Sequence, residues 1–274
     1  VALTTRNIHT KDFTWFTNLN FGFNDNIVLQ ETVAENSTTP SREGYPVGAI
    51  FAYKTAGLDD EGYPLYLTKD GQKLSAKDFF QLNNAGASSL SAEEQRNLLT
   101  YMGSTDPKVS GGFTNTFKYQ RVTLSVNCIF NFGMHVQTTP SYSLTTYDRG
   151  LNTNRDILDR WTPDNPDGKF PRLINSSDRP EEYSFYDNYP ILNNLDIYVK
   201  KQNYFRFQSI RLAYDLPTRW LKPIGVKSAS VSLEGRDLWV IASNYHNYLD
   251  PETMGNPYAS PIPKSFIFGL NVNF

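Results

Sequence analysis

The clearest candidate for a binding site is a set of aromatic residues in two predicted loops, where acidic residues lie beside them. Sugar rings stack their C–H faces on aromatic rings and hydrogen-bond through their hydroxyls, so such a set suits a carbohydrate. The same residues suit packing within a loop or contact with a partner protein, and we favour that plainer interpretation. The candidate substrate-binding residues are Trp161, Tyr183, Tyr186, Tyr189, Tyr245 and Tyr248.

The sequence does not predict an enzyme. Two carboxylate pairs, Glu181–Glu182 and Asp250 with Glu252, have the residue types that glycosidases use, but nothing in the sequence fixes the separation that this chemistry needs. No phosphate-binding loop, dinucleotide fingerprint or nucleophile elbow is present. Three scattered histidines and the single Cys128 leave no predicted metal site, and no cofactor is predicted.

Composition and charge argue against nucleic-acid-binding proteins, disulfide-rich proteins and helical membrane proteins. The chain of 274 residues has 18 Phe, 17 Tyr and 4 Trp, and its formal net charge of −2 provides no global basic field for nucleic acid. A single cysteine excludes an internal disulfide framework. No apolar run approaches the length of about 18 residues that a membrane-spanning helix needs, so none is predicted.

Long segments alternate between apolar and polar residues, which is typical of β-strands. From Val122 to Met134, Val, Leu, Cys and Phe alternate mainly with Thr, Ser and Asn, and 264–274 repeats the pattern. These segments are about twice the common strand length of about 5–6 residues, and their polar positions hold few Lys and Glu. A membrane barrel with a polar lumen is therefore favoured over a soluble antiparallel sheet with one wet face, although the pattern alone leaves both open.

Eight strands are predicted, and the connections between them alternate in length. Connections at 56–110, 135–202 and 242–263 are long, whereas short turns are predicted at Asn24–Asn26, Tyr119–Arg121 and 217–226. Outer-membrane barrels show this asymmetry between external loops and periplasmic turns, with the hairpin at 9–11 as the one short connection on the long side. The predicted strands are 1–8, 12–23, 46–55, 111–119, 121–134, 203–216, 227–241 and 264–274.

Three helices are predicted inside the long connections. The first covers 75–82 and the second 91–101, each with a serine as N-cap and an acidic residue three positions later. The third covers Asn154–Trp161 and is stopped by Pro163. Loops of this length are normally functional.

Several motifs, taken together, resemble one transporter family. The sequence reads R-F-Q-S-I-R-L-A-Y-D-L-P from Arg206, V-S-L-E-G-R-D-L-W-V from Val231, Y-L-D-P-E from Tyr248 and P-K-S-F-I-F-G-L-N-V from Pro263. In this order these segments resemble the C-terminal end of SusC/RagA-type TonB-dependent transporters. Asp237 stands where the family usually has Asn, which leaves the identity of the substrate open. Further upstream, R-E-G-Y-P-V-G from Arg42, G-S-T-D-P-K from Gly103 and L-D-R-W from Leu158 extend the resemblance over nearly the whole chain.

The resemblance implies an all-β fold, an antiparallel transmembrane β-barrel with long, partly helical extracellular loops. Residues 1–274 would be its C-terminal portion, roughly eight strands of a 22-stranded barrel. The plug and the N-terminal strands are not in this chain. We therefore expect the missing strands, in another chain or segment, to pair at 1–8 and at 264–274, because bare strand edges in lipid are costly.

The resemblance also implies a function in the outer membrane of a Gram-negative cell. The whole protein would import large nutrients, oligosaccharides first and peptides as the alternative, with energy from TonB acting through the missing N-terminal part. A SusD-like lipoprotein would close over the mouth as a lid. The strand with Phe266, Phe268, Leu270, Val272 and Phe274 would be the signal for membrane assembly. The alternative from another class is a soluble secreted sugar-binding or adhesion β-protein.

Overall fold

The computed structural model describes residues 1–83, 87–138, 155–173, 194–243, 250–256 and 259–274. The described helices are α1 (Ala76–Phe79), α2 (Ala92–Leu98) and α3 (Thr218–Leu221), with 3₁₀ helices at Arg155–Asp159, Asp196–Tyr198 and Lys222–Ile224. The described strands are β1 (Ala2–His9), β2 (Phe13–Phe23), β3 (Ala49–Ala52), β4 (Thr55–Leu58), β5 (Pro64–Leu67), β6 (Lys73–Leu74), β7 (Thr100–Ser104), β8 (Val109–Tyr119), β9 (Val122–Phe132), β10 (His135–Gln137), β11 (Val199–Lys201), β12 (Tyr204–Asp215), β13 (Ser228–Ala242) and β14 (Ser265–Asn273).

The long strands form one antiparallel sheet, which we call the wall. Its seven strands follow the order β1-β2-β8-β9-β12-β13-β14, so each strand lies beside the next long strand in the sequence. The β8–β9 hairpin, for example, pairs continuously from Val109 with Phe132 to Tyr119 with Val122. Within the described residues, β1 and β14 are its two free edges, which makes the wall an open portion of a barrel-type sheet.

The predicted strand at 46–55 does not join the wall, so the prediction of eight wall strands is wrong. Ala49–Ala52 forms the short strand β3, which pairs with β7 in a separate two-stranded sheet, and Thr55 already belongs to β4. Ile50, Ala52 and Tyr53 are buried against other loop residues. The prediction of a short turn at Asn24–Asn26 is also wrong, because these residues begin the long connection between β2 and β8.

With seven strands, every short connection falls at one end of the wall and every long one at the other. An antiparallel meander requires this alternation of ends. The 9–11 hairpin therefore lies with the other short turns, and the exception in the prediction disappears. The connections at the short end, here called the inner end, are 10–12, 120–121 and 216–227, and those at the long end, the outer end, are 24–108, 133–203 and 243–264.

The two faces of the wall differ in chemistry. Cross-strand partners such as Leu124 with Leu212, Leu212 with Leu233, and Leu233 with Phe268 place large apolar side chains on one face. That apolar face is open to its surroundings, and Phe268 is 74% exposed. The opposite, polar face carries mainly Asn, Ser, Thr and several charged residues. A soluble sheet would cover such an apolar face with a second layer.

The main hydrophobic core lies in the outer-end connections, and we call it the outer core. Buried Tyr53, Tyr66, Phe79, Phe80 and Leu195 pack together in it, mostly by edge-to-face ring contacts. Burial raises the pKa of Tyr53 to about 12, so its hydroxyl stays neutral. No helix among the described residues has both the length and the apolar character to cross a membrane.

The first two predicted helix starts are confirmed, but both helices end earlier than predicted. Ser75 caps α1, and Ser91 forms a capping box with Glu94 at the start of α2. The helix α1 ends at Phe79 and does not reach Leu82. Similarly, α2 ends at Leu98 and does not reach Tyr101, because 100–104 pairs as β7 with β3. In the predicted third helix, the described part is the 3₁₀ helix Arg155–Asp159.

Candidate functional site

One of the six predicted substrate-binding aromatics can be placed. Trp161 is half-buried, and its backbone N–H donates to the carbonyl of Phe170 at 2.8 Å. Its ring lies so close to Gly62 that a Cβ there would be 2.4 Å from Trp161 Cδ2. Trp161 therefore packs within the outer-end connections, and its role in binding stays a prediction. The other five, Tyr183, Tyr186, Tyr189, Tyr245 and Tyr248, lie outside the described residues.

Arg172 joins two of these connections through aromatic rings. Its guanidinium carbon lies 5.5 Å from the centre of the Trp161 ring and 5.4 Å from that of Tyr63. Its backbone N–H donates to the carbonyl of Gly62 at 3.0 Å. Each cation–π contact at such a site contributes about 0.5–1 kcal/mol. The segment 160–173 is thereby fixed against the β4–β5 turn.

The carboxylates Asp250 and Glu252 belong to a buried ion cluster. Arg206, at the outer end of β12, has a side chain only 2% exposed. Its Nη2 donates to Asp250 Oδ1 at 2.5 Å, and its Nε donates to Glu252 Oε1. Asp237 Oδ1 lies 3.8 Å from Nη1. One guanidinium thus holds carboxylates from the last outer-end connection and from β13.

The cluster fixes the segment 250–256 against the wall. The carbonyl of Asp250 accepts the backbone N–H groups of Thr253 and Met254 at 3.0 and 2.9 Å, which closes a tight turn. The side chain of Gln202 donates to the carbonyl of Pro251. Sequence reasoning missed Arg206 as the partner of these acids. The available signal was an arginine between two phenylalanines near the start of β12, a strand separated from Asp250 and Glu252 by two connections and β13.

A cavity of about 700 Å³ opens within the 24–108 connection. It lies between the end of α2 and the turn after β5, and Phe79 and Leu98 form part of its lining. Three rings at its side, those of Tyr45, Phe51 and Tyr101, contact one another with centroids 4.9 to 6.0 Å apart. Burial, with a contribution from Tyr45, raises the pKa of Tyr101. The Tyr101 hydroxyl therefore stays a neutral hydrogen-bonding group.

A second cavity, of about 480 Å³, lies along the polar face of the wall. Asn127 Nδ2 donates to Gln208 Oε1 at 2.7 Å, and Thr114 Oγ1 donates to Asn127 Oδ1 at 3.1 Å. Asn18 and Asn20 add further amides from β2. Uncharged amides and hydroxyls of this kind hydrogen-bond to polar solutes without selecting for charge.

The predicted assembly strand occupies one edge of the wall. β14 pairs with β13 from Ser265 with Arg236 to Asn273 with Ser228. Its apolar residues are Phe266, Phe268, Leu270, Val272 and Phe274, and the register of β14 against β13 places those within the paired stretch on the apolar face.

Comparison with known proteins relates the whole chain to TonB-dependent receptors. No protein-family model matches the chain. Three TonB-dependent receptors of Formosa agariphila are 25%, 22% and 22% identical to it over 304, 301 and 330 aligned positions. Each alignment covers all of this chain but only 28%, 28% and 30% of the relative. The chain thus spans less than a third of the length of these relatives.

Solved structures of RagAB have the same fold as this chain. A structure of the RagAB peptide transporter matches with a TM-score of 0.66 and 21% identity, and covers 100% of this chain and 28% of its own. The RagAB peptide importer in the closed-closed state matches with a TM-score of 0.66 and 22% identity, and covers 100% and 29%. These matches establish that the chain shares the fold of these structures.

Proposed function

We propose that this chain forms one part of the barrel of a TonB-dependent outer-membrane importer of the SusC/RagA type. The observation that carries the proposal is the wall itself, whose apolar face is uncovered while its opposite face is polar. Such a sheet is stable when lipid covers one face and a water-filled or plugged lumen borders the other. The similarity of the chain to TonB-dependent receptors over all of its residues supports the same assignment.

The rest of the barrel and the plug would come from other parts of a longer polypeptide. The edges β1 and β14 each leave one row of backbone groups unpaired among the described residues, and lipid tolerates no such open edge. The relatives, which are more than three times as long as the matching region, supply enough sequence for further strands. TonB would act through that missing part.

The long connections at the outer end would face the outside of the cell and receive cargo. We propose a SusD-like lipoprotein as the lid over this end and oligosaccharides as the cargo. Peptides are the alternative cargo. The names of the RagAB structures, a peptide transporter and a peptide importer, favour this alternative. Uptake of radiolabelled oligosaccharides and peptides by cells with and without the gene distinguishes the two classes. Equal uptake of both by the two strains refutes the importer.

The orientation of the wall has its own test, independent of cargo. In the complete protein with Cys128→Ala, a nitroxide attached at Leu270→Cys or at Asn271→Cys reports the two faces of β14 separately. In a bilayer we expect Leu270→Cys to be accessible to dissolved oxygen and protected from a water-soluble nickel chelate. Asn271→Cys should be the less oxygen-accessible of the two. Equal accessibility at both positions, or a protein that stays soluble without detergent, favours the secreted sugar-binding alternative.

A further inference from the structure

The 700 Å³ cavity in the 24–108 connection combines two features that recognise different parts of one ligand. Its size lies within the range of about 300–1,000 Å³ that small-molecule sites occupy. The rings of Tyr45, Phe51 and Tyr101 are at least partly accessible and together form an apolar surface, which we call the platform, although they are inclined to one another by 32° to 85°. Such a platform packs against a sugar ring face or an aromatic side chain.

The charged residues that line this cavity are all cationic. They are Lys54 and Lys69, and no aspartate or glutamate is among the residues that line it. Both lysines are exposed, and within the described part of the chain neither has a carboxylate within ion-pair distance. Exposed ammonium groups with no carboxylate beside them among the described residues attract anions from solution.

Building on the proposed function, we propose that this cavity binds the carboxylate-bearing part of the cargo, with an apolar ring or side chain against the Tyr45–Phe51–Tyr101 platform and the carboxylate between Lys54 and Lys69. The same chemistry occurs in a uronic-acid sugar and at the C-terminus of a peptide. The site lies at the outer end, where cargo arrives before it enters the lumen.

Binding is measured by calorimetry on the complete protein in detergent at low salt. The probes are trigalacturonate and an N-acetylated tripeptide that ends in a phenylalanine carboxylate, each compared with an uncharged counterpart, maltotriose and the peptide amide. The wild-type protein should bind at least one carboxylate probe more tightly than its uncharged counterpart. Whichever carboxylate probe binds identifies the source of the ligand.

Variants locate the binding at this cavity. The double variant Lys54→Glu, Lys69→Glu should weaken binding of the carboxylate probe about tenfold, which is what two partly exposed ion pairs contribute together. The matched control is Lys73→Glu, an exposed lysine of the same connection outside the cavity lining, and it should leave binding unchanged. Tyr101→Leu should weaken binding about fivefold while Tyr101→Phe retains it, because the ring makes the contact.

Three results overturn the proposal. They are equal affinity for the charged and uncharged probes, no binding of either carboxylate probe, or an unchanged affinity in the Lys54→Glu, Lys69→Glu variant. The importer is judged separately by uptake in cells. Loss of binding with intact uptake refutes this site alone, whereas binding without any uptake refutes the importer and leaves the site.

Discussion

Replacing Arg206 by alanine should release the last outer-end connection from the wall. The substitution leaves the carboxylate of Asp250, whose side chain is 5% exposed, without its cation. Removing one partner of a buried ion pair destabilises by about 3–5 kcal/mol. The carboxylate of Glu252 is 27% exposed and can be hydrated when its cation is lost. We therefore expect a destabilisation at the lower end of this range, about 3 kcal/mol.

Hydrogen exchange followed by mass spectrometry measures this loss locally in the complete protein. The amides of Thr253 and Met254 are protected by hydrogen bonds to Asp250, and they should exchange about 150-fold faster in Arg206→Ala, the equivalent of about 3 kcal/mol. Arg236→Ala is the control, because Arg236 is 52% exposed in its pair with Glu234 and its loss should change exchange less than about fivefold.

A double variant that removes both charges shows whether the loss of protection comes from an unpaired buried carboxylate or from lost packing. Arg206→Met combined with Asp250→Asn removes the arginine without leaving a buried charge at Asp250. It should recover part of the lost protection. Unchanged exchange at Thr253 and Met254 in Arg206→Ala would falsify the view that this cluster holds the segment.

Three further predictions follow from the outer-end connections and from β14. Gly103→Ala should lower the thermal midpoint in detergent, since Gly103 has φ of 133° and an added Cβ would collide with the ring of His135. Gly71→Ala is the control, because Gly71 also has a positive φ, of 82°, but an added Cβ there meets nothing within 4 Å. Gly71→Ala should therefore cost less, and equal midpoints for the two variants would contradict this. Burial, together with two nearby lysines, lowers the pKa of His135 below its usual 6.5. The unfolded chain therefore takes up a proton first, and stability should fall as pH drops below 6.5 towards the lowered pKa, a dependence that His135→Gln should reduce in acid-denaturation curves. Phe274→Ala should reduce the amount of protein assembled in the outer membrane, measured by fractionation, whereas the inner-end control Lys222→Ala should not; equal amounts for both would count against β14 as the assembly signal.

The alternating pattern predicted the wall strands well because a long sheet with one apolar and one polar face requires a strict alternation over many residues. β9 and β14 lie within two residues of their predicted bounds. The same pattern failed at 46–55, because alternation reports half-burial and does not say what covers the apolar side. At Ile50 and Ala52 the covering is the protein itself. Strand length distinguishes this segment from the wall strands, since its strand β3, Ala49–Ala52, has only four residues.

Contacts between distant parts of the sequence could not be read from it. The end of α2 was misplaced because Thr100 and Tyr101, which fit a helical pattern, pair with Ala52 and Phe51 in a strand. The partnership of Arg206 with Asp250 depends on how β12 and the last connection come together in three dimensions. Local propensity contains neither pairing.

The outer core can close only after its last segment has been synthesised. The backbone N–H of Tyr53 donates to the carbonyl of Asn194, and Thr55 Oγ1 donates to Asp196 Oδ1 at 2.6 Å, so two connections separated by β8 and β9 close one core. A nascent chain therefore cannot bury Tyr53 fully until the residues around Asn194 have been synthesised. During that interval the rings of the first connection remain open to water and to other chains. Apolar rings that stay exposed in this way promote aggregation until the core closes.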